Sequence, residues 1–513
     1  MWLPALALFV PVALAAGLWF FPVDGDDAYH HSIFAVEQAR CWRAGDLWPA
    51  FHPDWNWETG SFFPTIYSPV VLSLDGALLL AAGEATRAVS LSLALALLAA
   101  GLVLRSRGPA PPVWALAPVA PYLLLAVLAR ATVTELWALA LMAGALPWLI
   151  GRDVGNGVGR ALVPLVLAVL AVGAQPIMLI LVALPLGAAW AVRWWLEGFR
   201  AAVRPAARMM VVMVAAGVFW FPPLAWIGNF DRSSLFSGEF GWRNHFATSL
   251  GGNAEIGPVL LAIWVSLFVV FVAAGIHGVS RFRNDPTRVG ELVLLGTSLF
   301  LASPLSAPLW CLPGLGIVQF PWRFLGPATL SALLVLGRLR GRLRGALGAV
   351  FLLPLLLVPV EIDAGVPALT ADLDGTELAR ACSVRYGLAP ILPSMPGEYA
   401  REFHPLRSLR VFREQPARCV EGGGGGLPRT FVVEVRRRGD VRLPVQWWPG
   451  LEVVEDGRPL AYRNLDGLVA VGLDWGRHRL TVSLLPLKAR RAGLLFLLAG
   501  IVLLQALHRR GVV

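Results

Sequence analysis

Residues 88–107 read Ala-Val-Ser-Leu-Ser-Leu-Ala-Leu-Ala-Leu-Leu-Ala-Ala-Gly-Leu-Val-Leu-Arg-Ser-Arg, an apolar run that ends in two arginines. A helix needs about 20 consecutive apolar residues to cross the hydrocarbon of a bilayer, and this run has that length. Similar runs recur from the first residues to the last, separated by short segments that are rich in arginine. The pattern predicts a protein whose helices cross a membrane several times.

The composition supports the same class of protein. The chain has 513 residues, of which 57% are hydrophobic and 15% charged, and its mean hydropathy is +0.65. Soluble domains carry about 25% charged residues. The net charge of +10 comes mostly from arginines between the apolar runs, where positive charge fixes membrane topology. We therefore expect membrane lipids as partners and no nucleic acid.

Counting the apolar runs predicts about twelve membrane-spanning helices. The stretch 161–192 is too long for one crossing and is interrupted by Gln175-Pro176, which predicts a short helical hairpin. The other predicted spans are 2–22, 87–104, 112–129, 133–150, 209–227, 256–277, 290–308, 323–337, 346–361 and 490–507.

Arginine sets the orientation of these spans. The positive-inside rule places the arginine-rich segments in the cytoplasm: Arg105 and Arg107, Arg152 and Arg160, 193–208, 281–288, 338–344, and Arg509 with Arg510. Both termini are then cytoplasmic, and the first loop, 23–86, faces out. The apolar segment Ser68 to Ala82 would invert this arrangement if it crossed, so we place it at the outer interface. The predicted location is the cytoplasmic membrane.

The region 362–488 differs in character from the rest of the chain. Short alternating runs, such as Phe431 to Arg436 and His478 to Leu484, are typical of strands. We read Gly422 to Gly426 as a flexible loop between such runs. The predicted fold is an all-α polytopic membrane bundle over 1–361, an extracytoplasmic β-rich domain over 362–488, and a last span with a short tail over 489–513.

The first outer loop holds the densest group of candidate functional residues. Asp26 and Asp27 precede His30 and His31, and Glu58 follows later in the same loop. Neighbouring carboxylates are suited to general-base chemistry or to binding a divalent cation such as Mg or Mn. The four-residue spacing of Asp26 to His30 and of Asp27 to His31 would place each pair on one helical face as metal ligands. The alternative is an ordinary solvated loop.

Two further segments carry charge at the outer ends of spans. Arg130 and Glu135 lie in a tight outer turn, where an ionisable residue is either functional or part of an interfacial ion pair. Gln319-Phe-Pro-Trp-Arg323-Phe enters a helix from outside, and a guanidinium at a helix start favours an anion such as phosphate. Its alternative is an aromatic belt with a snorkelling arginine. His245 lies in a loop that would close over such a site.

These features resemble the GT-C fold of integral membrane glycosyltransferases. The likeness rests on the acidic first loop, the interfacial segment after Tyr67-Ser-Pro69, an acidic residue in the second outer turn and a C-terminal outer domain. A closer resemblance is to bacterial multi-pass membrane proteins grouped as 6-pyruvoyl-tetrahydropterin synthase-related, a label that we do not take as pterin chemistry. That resemblance is carried by these segments: Gln319-Phe-Pro-Trp-Arg323-Phe, Asp26 with His30, Gly45-Asp-Leu-Trp-Pro49 and Trp448-Pro-Gly450.

The resemblance implies transfer of a sugar from a lipid-linked, polyprenyl-phosphate donor to a hydroxyl acceptor on a glycan, lipid or protein. By position, it makes Asp26 the general base, with Asp27 as the alternative, and Glu135 the second-turn acid. The resemblance also implies that Arg323 binds the donor phosphate. Gln319, His30, Glu58 and His245 remain candidates for substrate or metal contacts. A lipid-linked glycan transporter or a non-catalytic assembly subunit stays open as another function.

All four cysteines fall in segments assigned to the outside. A Cys382–Cys419 disulfide would restrain the β-rich domain, and a Cys41–Cys311 disulfide would pin the first loop against the segment that carries Arg323. Reduced thiols are the alternative.

Peptide tags test the topology. Tags at Arg105, Arg204 and Arg340 are expected to be shielded from a membrane-impermeant reagent in intact cells, because arginine-rich loops stay in the cytoplasm. A tag in the Gly422 to Gly426 segment is expected to react. Labelling at Arg105 would show instead that Ser68 to Ala82 crosses the membrane.

Overall fold

The fold is taken from a computed structural model that is mostly helical, with a β-rich region near the C-terminus. The residues that it describes are, apart from isolated positions, 27–47, 67–106, 115–152, 158–226, 242–248, 256–282, 285–312, 320–339, 341–358, 417–423, 428–447, 450–465, 468–484 and 488–509.

The helices form one bundle around a shared apolar core. In chain order they are α1 Ala28–Arg43, α2 Pro69–Ala82, α3 Ala85–Ser106, α4 Pro121–Leu128, α5 Val133–Leu149, α6 Val158–Ala174, α7 Met178–Glu197, α8 Phe199–Ala215, α9 Gly217–Trp226, α10 Gly257–Phe282, α11 Pro286–Leu301, α12 Leu325–Arg338, α13 Gly341–Leu352 and α14 Lys488–Arg509. A short helix, Ala307–Trp310, and 3₁₀ turns at Ala117–Val119, Trp242–Asn244, Pro304–Ser306, Pro321–Phe324 and Leu353–Leu357 complete the helical elements of the described residues.

Arginine side chains secure one end of the bundle, which we call the arginine-rich end. Arg193 donates to the carbonyl of Ile150 at 3.1 Å, and Arg208 donates to that of Trp148 at 2.8 Å. These carbonyls close α5, so the guanidinium groups satisfy acceptors that a helix C-terminus leaves unpaired. Further arginines at this end belong to the neighbouring helices and loops: Arg105, Arg152, Arg288, Arg338 and Arg344.

The opposite end of the bundle, where α5 begins, is the site end. Both termini of the α2 helix lie at this site end. Ser68, just before α2, donates to the carbonyl of Gly173 at the end of α6, at 3.3 Å. At its other end, α2 is followed directly by α3, which begins at Ala85. Ser92 of α3 accepts the indole N–H of Trp137, near the start of α5, at 3.0 Å, so the beginning of α3 also lies at the site end. Hence α2 does not run the length of the bundle.

The predicted count of about twelve spans is not supported. Among the described residues, three helical segments are long and apolar enough to cross a membrane, namely Ala85–Arg105, Met178–Glu197 and Gly257–His277. A fourth is obtained if Pro286–Leu301 and Pro304–Trp310, which meet at a bend of 84°, are counted as one broken span. The predicted first span, 2–22, lies almost entirely outside the described residues.

The count was too high because apolar composition does not guarantee a continuous helix. The run 112–129 contains a 3₁₀ turn and then a helix of only 8 residues that starts at Pro121. The run 346–361 loses its α-helix at Leu352, before a 3₁₀ turn that contains Pro354. Proline removes a backbone donor and fixes φ, so each run is divided into shorter elements.

The C-terminal region has two antiparallel sheets. Their strands are β1 Ala417–Gly423, β2 Arg429–Val435, β3 Gly439–Gln446, β4 Leu451–Glu455, β5 Arg458–Leu460, β6 Tyr462–Leu465, β7 Leu468–Leu473 and β8 Gly476–Leu484. One sheet has the order β1-β2-β8-β4-β5 and the other β3-β7-β6. The strands predicted from alternation correspond to β2 and β8, whose inward residues Phe431 and Leu480 are paired in register.

The predicted glycine loop was partly wrong, because Gly422 and Gly423 belong to strand β1. They pair with Phe431 and Thr430 of β2. The rest of that loop, 424–427, lies outside the described residues, and so does the first part of the predicted domain, 362–416.

A pair of glycine substitutions tests the packing of the last helix. A Cβ added at Gly500 in α14 would lie 2.7 Å from the Cα and 2.8 Å from the backbone N of Ala215 in α8, so the two helices would have to separate. Gly500→Ala should therefore lower the midpoint of thermal unfolding. Gly345→Ala, at an exposed α13 position with nothing within 4 Å, should raise stability by about 0.5–1 kcal/mol. Equal shifts in the two variants would contradict this close approach.

Candidate functional site

A buried carboxylate, Glu135, organises the site end of the bundle. It lies in the first turn of α5 and is 1% exposed. Tyr122 of α4 donates its hydroxyl to one carboxylate oxygen. The other oxygen, Oε2, accepts from Arg130 Nη1 at 3.2 Å and lies 3.5 Å from Arg323 Nε. Two guanidinium groups therefore share one buried carboxylate.

A tight turn between α4 and α5 brings Arg130 back to Glu135. The amide of Arg130 donates to Leu125 O at 3.2 Å and that of Thr132 donates to Ala126 O at 2.9 Å. Between them, Ala131 has a φ of 49°, in the left-handed region that residues with a Cβ rarely adopt. Such strain persists where the surrounding structure fixes it, and it is common at functional sites.

Aromatic side chains cover both guanidinium groups. The Arg130 guanidinium lies 4.2 Å from the centre of the Trp322 ring, and that of Arg323 lies 4.8 Å from the centre of Phe320. His245 holds this cover in place, since its ring packs edge-on against Phe320 at 4.6 Å and its carbonyl accepts the Trp322 amide at 3.2 Å. Stacking on an aromatic face stabilises a cation and shields it from water.

Two donors in this cluster make no hydrogen bond to the described residues. They are the indole Nε1 of Trp322, a residue that is 2% exposed, and the Nε of Arg323, which is held only by its 3.5 Å ion pair with Glu135. Leaving a buried N–H unpaired costs about 1–3 kcal/mol, and more for a charged group. An anion placed against both groups would remove that cost.

Asp27 lies beside this cluster at the start of α1. Its backbone N–H donates to the carbonyl of Arg130 at 3.0 Å, and its carboxylate lies close enough to Arg130 and Tyr67 to act on both electrostatically. Burial and the Asp27 charge raise the pKa of the Tyr67 hydroxyl, which therefore stays protonated. That hydroxyl is hydrogen-bonded to Thr134 at 3.2 Å. Asp27 itself is partly exposed, so it is the carboxylate open to a ligand.

His31 and Asp75 form a second buried pair. His31 Nδ1 lies 3.2 Å from Asp75 Oδ2, and the residues are 1% and 0% exposed. The expectation that Asp27 and His31 jointly bind a metal stays a prediction; in the structure Nδ1 of His31 faces Asp75 of α2. Within the described ranges, no three His, Cys, Asp or Glu residues are placed to hold a metal ion.

The structure brings some of the predicted residues together and leaves others aside. Asp27, Glu135, Arg323 and His245 meet at the site end. His30 is exposed on α1. Three predicted residues lie outside the described part of the chain: Asp26, Glu58 and Gln319.

Three members of the site were missed as partners of these groups: Tyr122, Trp322 and Asp75. Trp322 lies within the Gln319 to Phe324 motif, so its aromatic character was visible in the sequence. Tyr122 and Asp75 lie within apolar runs, where a single polar side chain is itself the signal for a buried partner.

The structure describes some of the four cysteines for which disulfides were predicted. Cys41 is buried in α1 and Cys311 is exposed, and the disulfide predicted between them is absent from the structure. Cys382 lies outside the described residues, and for Cys419 only the backbone, in strand β1, is described.

Comparisons with known proteins add no family: the chain matches no protein-family profile, no curated protein and no solved structure. The chemistry of the site therefore follows from its own residues.

Replacing the central carboxylate should destabilise the fold. Glu135→Gln leaves two guanidinium groups at the site end without their shared counter-charge, and breaking a buried pair in this way costs about 3–5 kcal/mol. The matched control is Glu197→Gln, which breaks the exposed Arg193 pair within α7 and should cost about 0.5 kcal/mol. Thermal unfolding of the purified protein in detergent measures both. A Glu135→Gln midpoint as high as that of the control would contradict the central role of Glu135.

Proposed function

We propose that this chain is a glycosyltransferase of the GT-C type that moves a sugar from a polyprenyl-phosphate donor to a hydroxyl acceptor. The observation that supports this best is the buried indole N–H of Trp322, which has no acceptor within the described residues and lies beside the guanidinium groups of Arg130 and Arg323. Guanidinium and indole N–H groups in a water-poor site suit the phosphate of a lipid-linked sugar.

We place the protein in the cytoplasmic membrane as a multi-pass chain. Support comes from the apolar helices and from the concentration of arginines at one end of the bundle. The positive-inside rule assigns that end to the cytoplasm, so the site end faces outward. Both termini are then cytoplasmic, and the β-rich domain is extracytoplasmic. A polyprenyl lipid would reach the site from the outer leaflet.

In the proposed reaction, Arg323 and Trp322 act on the donor phosphate and a first-loop carboxylate acts on the acceptor. The acceptor oxygen forms a bond to the anomeric carbon as the bond from that carbon to the donor phosphate oxygen breaks. The phosphate leaves with the electron pair, and Arg323 and Trp322 stabilise its charge. A first-loop carboxylate, Asp27 or its neighbour Asp26, takes the acceptor proton. A bound Mg or Mn ion is not required by this scheme.

A lipid-linked glycan transporter is the second candidate, and one observation favours it. Glu291 in α11 forms a two-bond pair with Arg338 in α12 at the arginine-rich end, at 2.8 and 3.2 Å. Two turns further along these helices, Ser298 and Ser331 are buried with hydroxyl groups that have no partner among the described residues. Buried polar groups thus continue along α11 and α12 toward Arg323. Ordinary packing by small polar residues explains the same feature.

A transfer assay separates the two functions. The purified protein in lipid is given radiolabelled polyprenyl-phosphate sugars and crude acceptor from the cell envelope. A transferase moves the label from the lipid to the acceptor, whereas a transporter leaves it on the lipid and changes only its leaflet. Label that neither leaves the lipid nor changes leaflet would point to the assembly-subunit alternative.

A conservative tryptophan change tests the phosphate site. Trp322→Phe keeps the aromatic cover but deletes the unpaired N–H, so the KM for the donor should rise about tenfold while stability stays equal or improves. The control is Trp310→Phe at an equally buried residue whose Nε1 donates to Ser306 at 2.9 Å. That variant should lose about 1 kcal/mol of stability and keep its donor KM. The opposite pattern would remove Trp322 from donor binding.

Arg323→Lys complements this test. Lysine keeps the charge but loses the planar fork, so donor use should fall by more than stability does. An unchanged donor KM would return Arg323 to the aromatic-belt alternative.

A further inference from the structure

A closed ring of contacts connects the backbone of Asp27, a residue with a partly exposed side chain, to the buried Glu135. On one side the ring is short: the Asp27 amide donates to Arg130 O, and the Arg130 side chain donates to Glu135. On the other side it passes through four helices. Its members there are His31 of α1, Asp75 of α2, Ser92 of α3 and Trp137 of α5.

The link from Asp27 to His31 is a single turn of helix. The amide of His31 donates to the carbonyl of Asp27 at 3.0 Å, and residues four apart lie on the same helical face. The imidazole of His31 then reaches across to Asp75. Any displacement of His31 relative to α2 is therefore transmitted directly to the first turn of α1, which carries the Asp27 carboxylate.

The remaining links return to Glu135. Ser92 lies near the Asp75 carboxylate, and its hydroxyl accepts the indole N–H of Trp137 at 3.0 Å. Trp137 lies two residues after Glu135 in the same helix. Asp75 is thus fixed to the helix that carries the central carboxylate.

Burying an ionisable pair is not in itself an efficient way to stabilise a fold, because the desolvation cost offsets the attraction between the partners. Such pairs do fix one arrangement of the elements that they join. Here both partners are almost fully buried and lie on α1 and α2, helices that meet at the site end. The pair is therefore better placed to set a geometry than to add stability.

We propose that His31 and Asp75 are positioning residues that hold the Asp27 carboxylate against the group formed by Arg130, Glu135 and Arg323. This inference rests on the proposed function, in which Asp27 faces the acceptor and Arg323 faces the donor phosphate. The two partners must be aligned within a fraction of an ångström for the attack on the anomeric carbon. Neither His31 nor Asp75 needs to touch the substrates.

Three variants test the positioning. His31→Leu removes the donor to Asp75, His31→Asn restores a donor near the position of Nδ1, and Gln38→Met removes another buried contact of α1, that of Gln38 Oε1 with His52 Nε2 at 3.4 Å. Because a misplacement of about 1 Å costs about 100-fold in rate, His31→Leu should lower kcat by about 10- to 100-fold with the donor KM unchanged. His31→Asn should recover most of the rate. Gln38→Met should keep kcat at a comparable loss of thermal stability.

Hydrogen exchange supplies a readout that does not need activity. In the purified full-length protein, the amides at Asp27 to His31 should exchange at least about tenfold faster in His31→Leu, because the anchored turn opens more often. Gln38→Met should leave them unchanged. A His31→Leu protein with full kcat, or with unchanged exchange at these amides, would overturn the positioning role. Absence of transfer by the unmodified protein, with exchange accelerated in His31→Leu, would overturn the proposed function instead.

Discussion

The site end of this protein depends on the burial of one carboxylate. An isolated charge such as that of Glu135 cannot be buried in an apolar core without compensation, because losing its hydration costs many kcal/mol. Compensation comes from Tyr122 in α4, Arg130 in the following turn and Arg323 before α12. Arg323 is distant in sequence from the other three residues, so satisfying Glu135 requires α4, α5 and the segment before α12 to converge. The left-handed Ala131 and the aromatic cover of Trp322 are part of that convergence.

The irregular backbone of the site end follows from the same requirement. Continuous helices would satisfy every backbone group internally and would leave few donors to present to a ligand. Here short 3₁₀ turns and proline breaks lie where α12 begins and where α11 ends. In proteins that cross a membrane, non-helical backbone is tolerated where it is covered by protein or lines a site. The 3₁₀ turn at Pro321–Phe324 carries Arg323, so this break in the helical backbone coincides with a charged group of the site.

The two ends of the bundle use arginine differently. At the arginine-rich end, Arg193 and Arg208 donate to helix-terminal carbonyls, and Arg338 is fully paired with Glu291. At the site end, Arg130 and Arg323 share a carboxylate and stack on aromatic rings, and one nitrogen of Arg323 lacks a hydrogen-bond acceptor among the described residues. The site-end arrangement places two guanidinium groups beside the indole N–H of Trp322, which has no acceptor among the described residues, and it is the physical basis of the phosphate-dependent function proposed above.

The sequence by itself predicted a mostly helical chain with strands near the C-terminus, and it selected several residues that the structure places at the site end. Apolar runs, arginine between them and the alternation around Phe431 and His478 are local patterns, so they predicted helices, a charged end and strands β2 and β8. The same reading selected Asp27, Glu135 and Arg323 as chemically unusual. Only the tertiary structure decided which of them meet. His31, for example, is paired with Asp75, 44 residues away. The length of each helix was also decided by packing and proline breaks, since composition records how apolar a segment is but not where its backbone bends. Long-range pairing depends on how the helices pack, and a one-dimensional pattern contains no distance between residues that are far apart in the chain.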